Sequence, residues 1–188
     1  MISSLMFCAA LLFGHAQAQM CDYLTHTSAD SHYVTRPQVV AHQHHQTTKV
    51  MFSYEKRLNE VNLLVRLEVH QNHVPPNFRF SGASALGLMN EKGETLTLTV
   101  HPDTRPYVYH GKRLNGQPNI RVFELKFVVT PQHVEKMGAF SNSLLTNMHF
   151  VGKAHDWSLA VRKPDKFERV LYDHLQCVWQ SPLLTHQD

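Results

Sequence analysis

The sequence predicts an α+β domain: an antiparallel β-sheet, or a sandwich-like sheet, with two helices from the C-terminal third packed on it. Two observations predict it. From Lys49 onward apolar residues recur at every second position, the period of a half-buried strand. In the last third, Thr130-Pro131 and Pro164-Asp165 open segments with helix-start chemistry. No repeat of about 20 to 50 residues interrupts this reading, so a solenoid is excluded.

The elements follow in order. Val50, Phe52 and Tyr54 alternate with Met51, Ser53 and Glu55, and Val61, Leu63, Val65, Leu67 and Val69 alternate with Asn62, Leu64, Arg66, Glu68 and His70. Val74-Pro75-Pro76-Asn77 breaks the second run. Phe78 and Phe80 begin a short strand, and Ala85 to Met89 make another. Asn90-Glu91-Lys92-Gly93 is a turn. Leu96, Leu98 and Val100 alternate with Thr95, Thr97 and Thr99 until His101-Pro102 stops the strand. Tyr107-Val108-Tyr109 is a brief extended piece, followed by a loop from Gly111 to Pro118. Ile120 to Val129 is apolar enough on both faces for a central strand. The helix begun at Pro131 is short, with Gly138 and Ser141-Asn142-Ser143 ending it. Leu144 to Val151 and Asp156 to Arg162 are strands joined through Gly152. A second helix carries a capping box at Asp165 and Glu168 and an apolar face of Phe167, Val170, Leu171, Leu175 and Val178.

The N-terminus reads as an address. Leu5 to Phe13 is an unbroken apolar run, followed by Gly14 and then Ala16-Gln17-Ala18, the small residues a signal peptidase cleft admits. Cleavage after Ala18 would leave Gln19 first. The run is shorter than the roughly 20 residues of a transmembrane helix, and no later segment approaches that length. Residues 1–18 are therefore a leader, 19–48 a polar His/Gln-rich arm, 49–180 one β-rich domain and 181–188 a tail. The expected location is periplasmic or secreted. Cys8 would leave with the leader, and the remaining pair, Cys21 and Cys177, is expected to form a disulfide in an oxidising compartment.

Charge excludes some functions. The formal net charge is +3, and the Lys and Arg residues are scattered rather than clustered, so no electrostatic footprint for nucleic acid or anionic lipid is expected. Histidine is abundant, with 15 residues, of which His15 falls in the leader. His42, His44 and His45 form the densest group and are the candidate ligands for a metal. No carboxylate or cysteine accompanies them at ligand spacing, so the expectation is no cofactor beyond adventitious Zn²⁺ or Cu²⁺. Arg105, Tyr107 and Tyr109 stand beside a proline-bounded loop and are the candidate partner contacts.

Motif matches fail on context. His101-Pro102-Asp103 ends a strand rather than joining two helices, and Ser53-x-x-Lys56 lies in a strand rather than at a helix start. His133-x-Glu135 lacks the cysteine pair of zinc deaminases. Asp156, His155 and Glu135 are acid/base groups with nothing to fix their geometry. The sequence points to an exported, non-enzymatic binding or assembly protein. Its expected role is an accessory of an envelope or secretion machine, meeting protein partners through sheet edges and the 102–118 loop. The alternatives are a metal-binding protein using the His arm and a small secreted hydrolase.

Overall fold

The computed structural model describes residues 21–27, 32–43, 48–70, 78–80, 84–102, 107–111, 120–140, 143–153, 155–161 and 170–179. Two antiparallel sheets and two helices enclose one core. The larger sheet contains β1 (Tyr23–Thr27), β2 (His32–Thr35), β3 (Gln38–Gln43), β4 (Thr48–Arg57), β5 (Glu60–His70), β8 (Tyr107–Gly111) and β9 (Ile120–Val129). Its order is β1-β2-β4-β5-β9-β8, with β3 also paired to β4. The smaller sheet contains β6 (Ala85–Asn90), β7 (Thr95–Thr99), β10 (Leu145–Val151) and β11 (Trp157–Ala160), in the order β11-β10-β6-β7. The helices are α1 (Pro131–Phe140) and α2 (Val170–Trp179). The α+β class with a mostly antiparallel sheet is therefore present.

The period-two runs become the central strands. On β5, Val61, Leu63, Val65, Leu67 and Val69 are all buried, and they face Val50, Phe52 and Tyr54 of β4 and Phe123, Leu125 and Phe127 of β9 through the ladder register. This inner face is covered by the smaller sheet and the helices. Phe80 lies edge-on to Phe123 of β9 and to Phe150 of β10, and Phe78 lies edge-on to Phe123 and Trp157. Each aromatic contact of this kind adds about 0.5–1.5 kcal/mol to the burial of the rings. On the helix side, the buried Tyr54 hydroxyl donates to the Leu171 carbonyl of α2 at 2.6 Å. Val100, just past β7, bridges to Phe127, and the His101 N–H donates to the Lys126 carbonyl at 2.8 Å. The end of the small sheet is thus stitched to the edge of the large one.

Local chemistry explains the turns. The Asn90 side-chain oxygen accepts the N–H groups of Lys92 and Glu94 at 3.1 and 2.9 Å, and Gly93 takes the left-handed φ of 78° that the loop requires. At the start of α1 the Thr130 N–H donates to His133 Nδ1 at 3.1 Å, while the His133 N–H points back to Thr130 Oγ1 at 3.4 Å. This is a capping box in which an imidazole replaces the usual carboxylate.

Three expectations need correction. Residues 19–48 are not an arm apart from the domain: their described part forms β1, β2 and β3 of the large sheet. Two register shifts, between Tyr23 and Thr25 and between Val39 and Ala41, hide the period. At the second, the consecutive residues Val40 and Ala41 are both buried, so the alternation breaks where the strand bulges. Phe78 and Phe80 do not begin a strand; they are aromatic wedges between the sheets. Finally, α1 passes through Gly138 and ends at Phe140, because Met137 and Phe140 bury against the core and hold the last turn. The expected leader, the tail and the Asp165–Glu168 capping box lie outside the described residues.

Candidate functional site

The face of the large sheet opposite the core carries the candidate site. Odd-numbered positions of β4 and even-numbered positions of β5 and β9 point there, as the strict antiparallel register demands. A cavity of about 610 Å³ opens on this face. Its lining is segregated across the sheet. The first strands supply apolar groups: Leu24 from β1, Val34 from β2, Pro37 beyond it, and Met51 from β4. The later strands supply charge: Arg66 from β5, and Glu124 and Lys126 from β9, with His101 beside them. Ser53 and Leu64, directly paired, lie between the two halves, and Arg57 closes the hairpin end. Leu24 is 56% exposed despite its size.

A chain of ionisable groups borders the charged half. His32 Nε2 donates to Glu55 at 3.0 Å. Lys126 spans from Glu55 at 3.0 Å to Glu60 at 3.4 Å. His101 Nε2 lies 3.1 Å from the same Glu60 oxygen, which also accepts from Asn62 Nδ2. Burial alone would raise the Glu55 pKa, but hydrogen bonds from Lys126 and His32, with their charges, outweigh it and hold the carboxyl below its ordinary value. Glu60 is likewise lowered, first by the Asn62 hydrogen bond, against a smaller desolvation cost. Asn62 is fully buried, and its Oδ1 has no hydrogen-bond partner among the described residues. On the same face Arg66 donates to Glu68 at 2.9 Å and to Glu124 at 3.0 Å. The carboxylates here are engaged by cations, whereas Arg57 makes no ion pair with a described residue.

The residues singled out by sequence fall elsewhere. Cys21 and Cys177 lie at disulfide distance, with Cα atoms 5.7 Å apart, and tie the start of β1 to the end of α2. The Tyr23 hydroxyl donates to the Cys177 carbonyl at 3.0 Å, reinforcing that junction. His42 sits in β3 opposite Lys49. His44 and His45 lie outside the described residues, and among those described no three His, Cys, Asp or Glu side chains converge on a metal position. Tyr107 and Tyr109 belong to β8, paired with Glu124 and Val122 of β9, while Arg105 is outside the described residues. Ser53 and Lys56 lie on opposite faces of β4, so that motif match has no geometry. The cavity was not legible in sequence, because its residues come from separate strands and look like ordinary outward-facing positions.

A second constellation has the residue types of a catalytic triad. Ser158 Oγ is 2.7 Å from His149 Nδ1, and His149 Nε2 is 3.3 Å from Asp156. Asp156 therefore meets His149, not the His155 or Glu135 with which sequence grouped it. His149 and Ser158 are direct cross-strand neighbours of β10 and β11, which is sufficient to explain their contact. His149 and Asp156 are 45% and 53% exposed, and β10 is paired on both sides, so its amides are spent on the ladders. An acyl-transfer site needs donors aimed at an oxyanion in a water-excluded pocket, and the half-exposed His149 and Asp156 stand in solvent instead.

None of the described helices is long and apolar enough to cross a membrane. No protein-family model matches the sequence, and no curated protein and no solved structure matches it either.

Proposed function

We propose that this is an exported, non-enzymatic binding protein whose working surface is the outer face of the seven-stranded sheet. The observation that carries the reading is the cavity of about 610 Å³, half apolar and half charged. Its size lies within the range of small-molecule sites, and its few polar groups converge at one side of an apolar wall, as such sites require. Ser158, His149 and Asp156 do not line this cavity. Export to a periplasmic or extracellular location rests on the apolar run and Ala16-x-Ala18, with the Cys21–Cys177 geometry compatible with it. An accessory role in an envelope or secretion machine is the corresponding cellular setting, and β1, at the border of the sheet beside the cavity, is the edge such a partner would meet.

The test is native mass spectrometry of the protein purified without denaturant from the cells that make it. We expect the wild type to carry a bound molecule or partner that a Met51→Glu/Leu64→Glu variant lacks. A wild-type protein that always travels at its bare mass would contradict the reading. Labelling of Ser158 by a fluorophosphonate would instead favour the hydrolase. Tight stoichiometric Zn²⁺ or Cu²⁺ binding lost on replacing His42, His44 and His45 would favour the metal-binding alternative.

A further inference from the structure

The distribution of charge in the cavity specifies what kind of molecule fits it. We propose that it takes a small amphiphile with an anionic head group, the apolar part lying against Leu24, Val34 and Met51 and the head group drawn to Arg57. This rests on the outer-face reading given above.

Leu24 of β1, Val34 of β2 and Met51 of β4 bring aliphatic or thioether side chains to one side of the cavity, with Glu55 opposite Val34 at its border. Such a side gains roughly 25 cal/mol for each Å² of apolar surface a ligand covers. Leu24, Val34, Met51 and Leu64 are each incompletely buried, so that surface remains to be covered. A wholly polar ligand would leave it wet. A wholly apolar one would strip water from Arg66, Glu124 and Lys126 with nothing in return.

The sign of the head group follows from which charges are already engaged. One Glu60 oxygen accepts from Asn62, His101 and Lys126, and Glu55 accepts from Lys126 and His32. Glu124 is held by Arg66. A cationic head group could reach only the second oxygens of Glu60 and Glu124, whose charge these donors already offset. An anionic one meets Arg57 directly. Arg57 lines the cavity, is exposed, and pairs in register with Glu60, which puts it at the His101 and Lys126 end. A guanidinium offers a planar fork of donors suited to a carboxylate or phosphate.

The experiment is calorimetric titration of the mature, oxidised chain with dodecanoate and with dodecyltrimethylammonium, both below their micellar concentrations. We expect one dodecanoate per chain, bound at least about tenfold more tightly than the cation, as charge complementarity at a close pair produces. Arg57→Gln should weaken dodecanoate several-fold, and Arg57→Glu should reverse the preference. Met51→Glu should weaken both amphiphiles. Arg57 is exposed, so a thermal melt should show its variants folded; if Arg57→Glu melts early, Arg57→Gln carries the test. Equal or tighter binding of the cation, or binding indifferent to Arg57, overturns the proposal. If neither amphiphile binds while native mass spectrometry still finds an adduct that Met51→Glu/Leu64→Glu loses, the anionic amphiphile is wrong and the outer-face reading stands. If that adduct is absent too, both fall.

Discussion

Single side chains account for much of how the sheets, turns and helices are joined. Tyr54 is the clearest case. Its ring is fully buried, burial drives its hydroxyl pKa far above the ordinary value, and the hydroxyl donates to the Leu171 carbonyl in the first turn of α2. Tyr54→Phe keeps the packing and removes one buried hydrogen bond, while the Leu171 carbonyl keeps its partner inside α2. We expect a loss of about 0.5–1.5 kcal/mol in urea unfolding, with the slope unchanged. Leu58 gives the opposite sign. It sits in the two-residue loop between β4 and β5 at φ 53°, where side chains bearing a Cβ are strained, and it is 62% exposed. Leu58→Asn relieves the strain with little burial to lose, and should stabilise by about 0.5–1 kcal/mol in the same measurement. The alternation around Tyr54 was readable in sequence. The strain at Leu58 was not, since nothing in Arg57-Leu58-Asn59-Glu60 names the φ its turn imposes.

Elements differ in how their ends respond to pH. The α1 cap depends on a neutral His133, whose Nδ1 must accept from Thr130. Burial first, and then the charge of Lys136, lower its pKa, against a hydrogen bond to Val128 that raises it. In α2, burial lowers the pKa of His174 against the pull of Asp173 and Asp22. A histidine with a folded pKa below its unfolded value contributes fully at high pH. That contribution is lost as the pH falls through the unfolded value of about 6.5 towards the folded one. The melting temperature should therefore drop between pH 7.5 and 5.5, and His133→Gln, which retains an acceptor, should flatten the drop. Glu55 and Glu60 act in a separate, lower window. Their folded pKa values are depressed, so their contribution is present above the ordinary carboxylate value of 4.5 and lost only as the pH falls below it. Sequence identified the Thr130-Pro131 helix start but read β1 to β3 as an arm. The helix start is local chemistry, whereas β2 and β3 are held by pairing with the distant β4, and β3 bulges within that pairing, which blurs its period.

For the whole molecule, the ends are fastened together and the site is assembled between distant segments. The Cys21–Cys177 pair spans 156 residues and joins the border strand to the final helix. Opening it releases a loop nearly as long as the domain, so reduction should lower stability by about 2–5 kcal/mol, read as a shift of the denaturant midpoint with and without reductant. Composition and spacing suffice to anticipate that pair and the antiparallel architecture. They do not reveal the cavity, because Leu24, Met51, Leu64 and Lys126 become neighbours only through sheet order, and each looks like an outward position of its own strand. The claim that this face is the binding surface is tested most directly by methyl NMR shifts during titration of the oxidised protein with dodecanoate. The account expects saturable shifts at Leu24, Val34, Met51 and Leu64, with Leu86, Leu98 and Leu159 of the smaller sheet unmoved. Shifts confined to the smaller sheet, or none at saturating dodecanoate, would contradict it.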